Sequence, residues 1–450
     1  MLSPTLHQLE VSNLIINNPM FNILCGQVGS GKTITSVYIA NQLKSKHILL
    51  ITEARLPVFD TSDFEYGVDN ITKLSYSKFL VKTKSQKAIL TKAKELKASL
   101  PVDLDFIILD EVHNIKSYED SQRGRLFIYF MSLFNIPVLG MTGTLITNNY
   151  MEAFSILAMK RLYPYSDPQV VLDLIASDEY KYLNFEVNPF SKYKPKKVSN
   201  PRRLEDFSKL VKNNCHYLRK IQLENEIKLY ENFYVIETPV KFKKVHAELK
   251  REKAIIAPSG IKALVTSNDV LQKMSDGWVD SEILSDWNKY RTVIRPLKLN
   301  TLKKILSKTQ KTILMTKYIL SRDILEKELI NYKVFVYTGV SKKNKVLIED
   351  FKSYKGDAIL LTTLQAISTG FNLDEARDII FYSVPYRYTD IIQAYARIDR
   401  LNSTQDKTYH WLSTDLEYEV TEKIFKKVVN AKNQFGFGHN TIRKVYKVNN

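Results

Sequence analysis

The sequence predicts an α/β protein with two doubly wound parallel sheets and a smaller, mostly helical and basic region between them. Three observations carry this expectation. Short β-rich runs alternate with helical stretches in the first third of the chain, and the alternation returns in the last third. A glycine-rich loop, GQVGSGKT at 26–33, stands where one apolar run gives way to a helical pattern. Strands separated by helices need crossover connections, and these set neighbouring strands parallel.

The elements follow in order. FNILC at 21–25 is an apolar run, Ile34 to Leu43 is helical, and HILLIT at 47–52 is a second strand. A Lys-rich helical segment from Thr83 to Leu100 precedes the strands FIILD at 106–110 and PVLGMTGT at 137–144. The middle of the chain differs: NPFSKYKPKKVSNPRR at 188–203 is basic and proline-containing, and a charged helical stretch follows it. The strand rhythm resumes with KTILM at 311, VFVYTG at 334, AILLT at 358, DIIFY at 378 and TYHWL at 408, and TDIIQAYARIDRL at 389–401 reads as a helix. The expected boundaries are 1–165, 166–296, 297–432 and a basic tail at 433–450.

The 450 residues carry 66 Lys and Arg against 48 Asp and Glu, a formal charge of +18. A polyanion partner explains this balance, and a compositional bias toward Lys is the bland alternative. Cys25 and Cys215 stand far apart and make neither a disulfide framework nor a zinc spacing. The amino terminus lacks the charge and apolar pattern of a leader, and no apolar run approaches membrane-spanning length, so the expected location is cytoplasmic.

GQVGSGKT completes the pattern G-x-x-x-x-G-K-[ST] between a strand and a helix. Inward-pointing N–H groups at a helix N-terminus make such a turn an anion site. Gly26, Gly29, Ser30 and Gly31 shape the expected loop, Lys32 reaches the β/γ-phosphates, and Thr33 ligates Mg²⁺. A nucleotide and Mg²⁺ are therefore the expected ligands. Asp110 and Glu111 end the buried FIIL run, and strand ends are where an open α/β sheet binds ligands. Asp110 is expected to hold Mg²⁺ and Glu111 to orient and deprotonate the attacking water. Thr142 and Thr144 flank a glycine at the same edge, as candidate relays. On the late helix, Gln393, Arg397 and Arg400 fall at i, i+4 and i+7, beside an apolar stripe of Ala394, Ile398 and Leu401. Such arginines are candidate fingers for the γ-phosphate. Lys196, Lys197, Arg202 and Arg203 either track phosphates or belong to a disordered basic loop.

With these motifs in place, the chain resembles superfamily 2 helicases and translocases, most closely the Swi/Snf-type branch and its compact phage-encoded relatives. LHQLEVSNLI at 6–15 looks like the glutamine motif, which makes Gln8 an adenine reader. DEVH at 110–113 is similar to the DExH box, with His113 a coupling residue, and MTGTLITNNYMEAFSIL matches the third motif. CHYLRKIQLENEI at 215–227 resembles the basic helix and turn that lead into the family's central region. ILMTKYILSRDILEKEL, LLTTLQAISTGFNLDEARDIIFY and QAYARIDRLN resemble the fourth, fifth and sixth motifs. The resemblance implies two tandem RecA-like domains with ATP between them. It implies nucleic-acid contacts or coupling at Thr363, Ser368, Thr369, Gly370 and Asn372, and finger roles for Arg397 and Arg400. GQVGS in the loop, Leu145 and Ala396 depart from the branch pattern. The expected activity is a DNA-dependent ATPase that moves on forked or branched DNA as a monomer. An ATP switch that clamps without moving, and an RNA helicase, are the alternatives.

Overall fold

The computed structural model describes residues 3–26, 29–53, 68, 70–81, 85–115, 122–143, 145, 151–183, 186–188, 196–198, 201–218, 227–251, 255–256, 262–263, 268–278, 295–338, 344–367, 373–386, 388–399, 405–435 and 441–449. The chain divides into two compact units, 1–221 and 222–450.

The first unit runs α1 (Leu6–Ile16), β1 (Phe21–Gly26), α2 (Lys32–Gln42), β2 (His47–Thr52), β3 (Asn70–Ser75), α3 (Gln86–Ala98), β4 (Phe106–Leu109), α4 (Gln122–Met131), β5 (Val138–Thr142) and α5 (Met151–Leu162). Helices α6 (Pro168–Ala176) and α7 (Asp178–Leu183), the strand pair β6 (Glu186–Asn188) and β7 (Lys196–Val198), α8 (Pro201–Asn214) and β8 (His216–Leu218) complete it. Its main sheet has the order β3-β2-β4-β5-β1-β8, parallel throughout. β1, β4 and β5 are buried along their whole lengths, as near-continuous apolar strands covered on both faces must be. Val11 and Ile15 of α1 and Ile39 and Ala40 of α2 pack on Leu24, Ile48, Leu50, Ile108, Leu139 and Met141. Each of these side chains other than that of Ala40 contributes about 1.5–3 kcal/mol on burial.

The second unit runs β9 (Leu229–Ile236), α9 (Val240–Arg251), the short pair β10 (Ile255–Ile256) and β11 (Lys262–Ala263), α10 (Asn268–Asp276), α11 (Leu299–Leu306), β12 (Lys311–Thr316), α12 (Ile319–Glu328) and β13 (Val334–Tyr337). It continues through α13 (Asn344–Ser353), β14 (Ala358–Thr363), α14 (Leu364–Ile367), β15 (Asp378–Phe381), α15 (Tyr388–Ile398), β16 (Lys407–Thr414), α16 (Asp415–Phe435) and β17 (Thr441–Val448). The main sheet order is β13-β14-β12-β15-β16-β9-β17, again all parallel. One face carries Ile313, Phe381 and Trp411 against Ile391, Tyr395 and Phe425. The other sets Leu314, Leu361 and Ile380 against Leu302, Ile305 and Leu325. Two α/β units on wholly parallel sheets are thus the architecture, as the strand rhythm predicted.

The middle of the chain is shared between the units. β8 extends the first sheet beside β1, while β9 enters the second sheet between β16 and β17. Residues 441–448, inside the stretch expected as a basic tail, form the edge strand of the second sheet. Helix α10 is fastened by a buried cluster in which Lys298, fully enclosed, lies 2.6 Å from Asp276 and 3.4 Å from Glu417. A buried ammonium needs such carboxylates, because an unpaired charge there is strongly disfavoured. No helix among the described residues is long and apolar enough to cross a membrane.

Candidate nucleotide site

β1, β5 and β4 are neighbours, and each ends at one predicted motif: the glycine-rich loop after β1, Asp110 and Glu111 after β4, Gly143 after β5. The parallel register sends all three motifs to the carboxyl edge of the sheet. The order of the strands, which no local pattern shows, is what gathers them.

The loop is shaped by its glycines. Gly29 and Gly31 have φ of 84° and 81°, and Gly31 is the N-cap of α2. These are left-handed angles that side chains avoid. A Cβ on Gly31 would lie 2.2 Å from Gln8 Nε2, and one on Gly26 would lie 2.5 Å from Ser30 Oγ. Gln8 is buried and braces the loop: its Nε2 donates to the Ser30 carbonyl at 2.9 Å, and its Oε1 accepts the Thr5 N–H at 2.8 Å. Thr5 closes the box by accepting the Gln8 N–H, so the cap of α1 and the loop share one amide. Lys32 Nζ donates to the Gly26 carbonyl at 2.8 Å. Ser30 Oγ is buried and has no hydrogen-bond partner among the described residues, an open polar valence inside the loop. Such a loop fits a phosphate group. Gln27 and Val28 lie outside the described residues.

Asp110 accepts a hydrogen bond from Thr52 Oγ1 at 3.2 Å, and its N–H donates to Ile51 O at 2.8 Å. Burial and then the charge of Glu111 push its pKa up to about 6, against the opposing pull of Lys32. Such a carboxylate lacks sufficient positive charge around it and fits a divalent cation; Thr33, in the first turn of α2, is the hydroxyl that would share it.

Glu111 is the more constrained of the two. Its backbone is left-handed, with φ 49° and ψ 57°. His113 Nδ1 lies 3.2 Å from its Oε2, which also accepts from Thr142 Oγ1 at 3.4 Å and from Gly143 N–H at 3.3 Å. His113 Nδ1 is in turn 3.0 Å from Thr142 Oγ1. Burial works to raise the Glu111 pKa, but His113, Lys32 and the Gly143 N–H outweigh it and bring it to about 2. The expected coupling residues His113 and Thr142 thus meet at the expected base. Thr144 lies outside the described residues.

Three partners escaped sequence reasoning. Thr52 holds Asp110, the Gly143 N–H holds Glu111, and Leu218 of β8 stands where a Cβ on Gly26 would contact it at 3.0 Å. The polar residue ending the HILLIT run is the signal that would have found Thr52; nothing local marks Leu218.

In the second unit, α15 carries Gln393, half-buried, and Arg397, 7 % exposed. The helix predicted at 389–401 is described over Tyr388–Ile398, and residues 400 and 401 lie outside the described residues. The Arg397 carbonyl accepts the N–H of Leu373, a tertiary bond at 2.9 Å, while Asp399 N–H donates to Tyr395 O at 3.0 Å. Gln393 and Arg397, four residues apart on α15, share a helical face. Arg400 lies outside the described residues, as do Ser368, Thr369, Gly370 and Asn372. Thr363, buried, accepts the Ala366 N–H on its Oγ1 and caps the short α14. Lys196 and Lys197 lie on β7, and Arg202 and Arg203 on the first turn of α8, so these four occupy regular elements instead of a disordered loop. Arg203 lies over the ring of Tyr182 at 5.1 Å.

Residues 297–402, from α11 through α15, match the family model of the helicase conserved C-terminal domain. Over 221 residues the chain is 27 % identical to a probable ATP-dependent helicase of Plasmodium falciparum (isolate 3D7), an alignment covering 47 % of this chain and 10 % of that protein. The chain therefore spans about a tenth of that relative's length. The domain match and the distant likeness support a superfamily 2 helicase, and the two parallel-sheet units agree with tandem RecA-like domains.

Proposed function

We propose that the chain is an ATP-dependent helicase or translocase that hydrolyses ATP and moves on DNA. The observation that supports this most is the meeting of a glycine-shaped phosphate loop with a carboxylate pair at neighbouring strand ends, in a chain that also carries a helicase C-terminal domain. The likeness to a probable ATP-dependent helicase points the same way.

In this reading the loop N–H groups and Lys32 hold the phosphates, and Gln8 both braces the loop and faces the base. Thr33 and Asp110 hold Mg²⁺, which supplies positive charge to the phosphate oxygens. Glu111, ionised across the neutral range, accepts a hydrogen bond from the attacking water and aims it. Arg397 and Arg400 offset charge that develops on the γ-phosphate. His113 and Thr142 report the state of Glu111 to the neighbouring strand end. Lys196, Lys197, Arg202, Arg203, Thr363, Ser368, Thr369 and Asn372 grip the nucleic-acid backbone, with forked or branched DNA as the preferred substrate.

Displacement of a third strand from duplexes of increasing length tests the reading. A lag that grows with distance is expected, with turnover abolished by Lys32→Ala. A lag independent of length indicates a clamp that does not move, and stimulation of ATPase by RNA but not DNA at matched salt indicates an RNA helicase.

A further inference from the structure

Glu231 is a carboxylate enclosed within the second unit, 3 % exposed, on β9. Its Oε1 accepts the hydroxyl of Tyr395 at 2.5 Å. Its Oε2 accepts from Thr441 Oγ1 at 3.0 Å and from Arg443 through Nε at 3.2 Å and Nη2 at 3.0 Å. Arg443 lies over the rings of Phe233 and Phe425, at 5.2 and 4.9 Å. One buried carboxylate thus joins β17, through Thr441 and Arg443, to α15, through Tyr395.

Tyr395 precedes Arg397 by two residues on the same helix. Its ring stacks on Tyr409 at 3.6 Å and 11°, so hydroxyl and ring are both held. Burial, and then Glu231, keep the phenol protonated and able to donate. β17 contributes little to the core: Ile442, Val445 and Tyr446 are 46, 50 and 40 % exposed. A buried carboxylate with one partner removed is strongly destabilised, whereas an apolar residue would hold a tyrosine ring with no such penalty. What the carboxylate adds is a directional, charge-assisted link between an edge strand and a helix.

We propose that Glu231 is a positioning residue: with Tyr395 and Arg443 it sets the seat of α15, so that the C-terminal strand Thr441–Val448 controls the placement of Arg397. The inference rests on the reading that Arg397 acts in ATP hydrolysis. The strand touches Glu231 on the oxygen opposite the one that holds Tyr395, so loss of Arg443 frees Glu231 to turn and releases the helix.

The test uses the full chain with saturating DNA. Tyr395→Phe and Arg443→Met are each expected to lower kcat about 5–30-fold with KM for ATP within about twofold, and their double variant to lose no more than the worse single one. Arg443→Lys, which keeps the charge, should recover part of the loss. Melting temperatures are read on every variant. Wild-type kcat in both single variants, multiplicative losses in the double one, or losses that follow the melting temperature across Thr441→Val, Arg443→Lys and Arg443→Met would overturn the proposal. Arg397→Ala separates the two readings. If it abolishes turnover while Tyr395→Phe and Arg443→Met keep wild-type kcat, only the positioning role fails; if it leaves turnover intact, the finger reading fails and the positioning role with it.

Discussion

Asp110 and Glu111 are adjacent, yet their environments drive their proton affinities apart. Asp110 is desolvated beside a like charge and titrates near 6, while Glu111, held by His113 and the Gly143 N–H, titrates near 2. An acid whose folded pKa exceeds its unfolded value of about 4 favours folding below that pH, and the contribution is lost as pH rises through the folded pKa. Without nucleotide, Asp110 is therefore a burden at neutral pH. Asp110→Asn is expected to abolish ATPase yet stabilise the free protein by about 1–3 kcal/mol at pH 7.5. The gain should shrink toward zero at pH 4.5, checked by urea unfolding at the two values. A loss of stability at pH 7.5 would show that the carboxylate is satisfied without a cation. The left-handed backbone of Glu111, a strain of about 1–3 kcal/mol, belongs to the same class of local concession at a reacting centre. The DE pair was legible from its place after FIIL; its left-handed backbone and the split in proton affinity were not, because burial, Lys32 and the Gly143 N–H reach the pair only through the fold.

At the scale of elements, α1 and the phosphate loop are one device. The capping box of α1 uses the Gln8 carbonyl oxygen, and the same amide's nitrogen holds Ser30 O, so fraying of α1 loosens the loop. Gly31→Ala introduces a left-handed alanine and drives its Cβ against Gln8 Nε2. The expected loss is about 2–3 kcal/mol, from the backbone angle and the displaced hydrogen bond together. In a Gln8→Ala background the cost should fall to the backbone part, about 1–2 kcal/mol. Equal costs in both backgrounds, read by thermal unfolding, would mean that Gln8 does not brace the loop. The glycine pattern and the strand before it were readable in GQVGSGKT; the contact with Gln8 was not, since 22 residues separate Gln8 from Ser30. Helix α15 shows the same limit. Its amphipathic pattern was legible in sequence, but the bond from Leu373 N–H to the Arg397 carbonyl, 24 residues away in the chain, was not.

For the whole molecule, the charge of +18 makes a general expectation about nucleic acid, and four side chains make it specific. Neutralising Lys196, Lys197, Arg202 and Arg203 should reduce the slope of log affinity against log salt by about 3.6 if each meets a phosphate, at about 0.9 per contact on duplex DNA. An unchanged slope, measured by titration at several salt concentrations, would remove them from the interface; a reduction of about 2.7, three contacts' worth, would leave Arg203 to its contact with Tyr182. The sequence by itself determined that two parallel α/β units exist, that one bears a phosphate loop, and that carboxylates follow a buried strand. Those features are local, written in runs of apolar residues, in glycines and in neighbouring side chains. Only the tertiary structure decided that β4, β5 and β1 stand side by side, that β9 and β17 complete the second sheet, and that Glu231 ties the last strand to the helix of Arg397. Strand order and buried polar contacts join residues up to 212 positions apart, and they are selected by the packing of the whole unit, which no window of sequence contains.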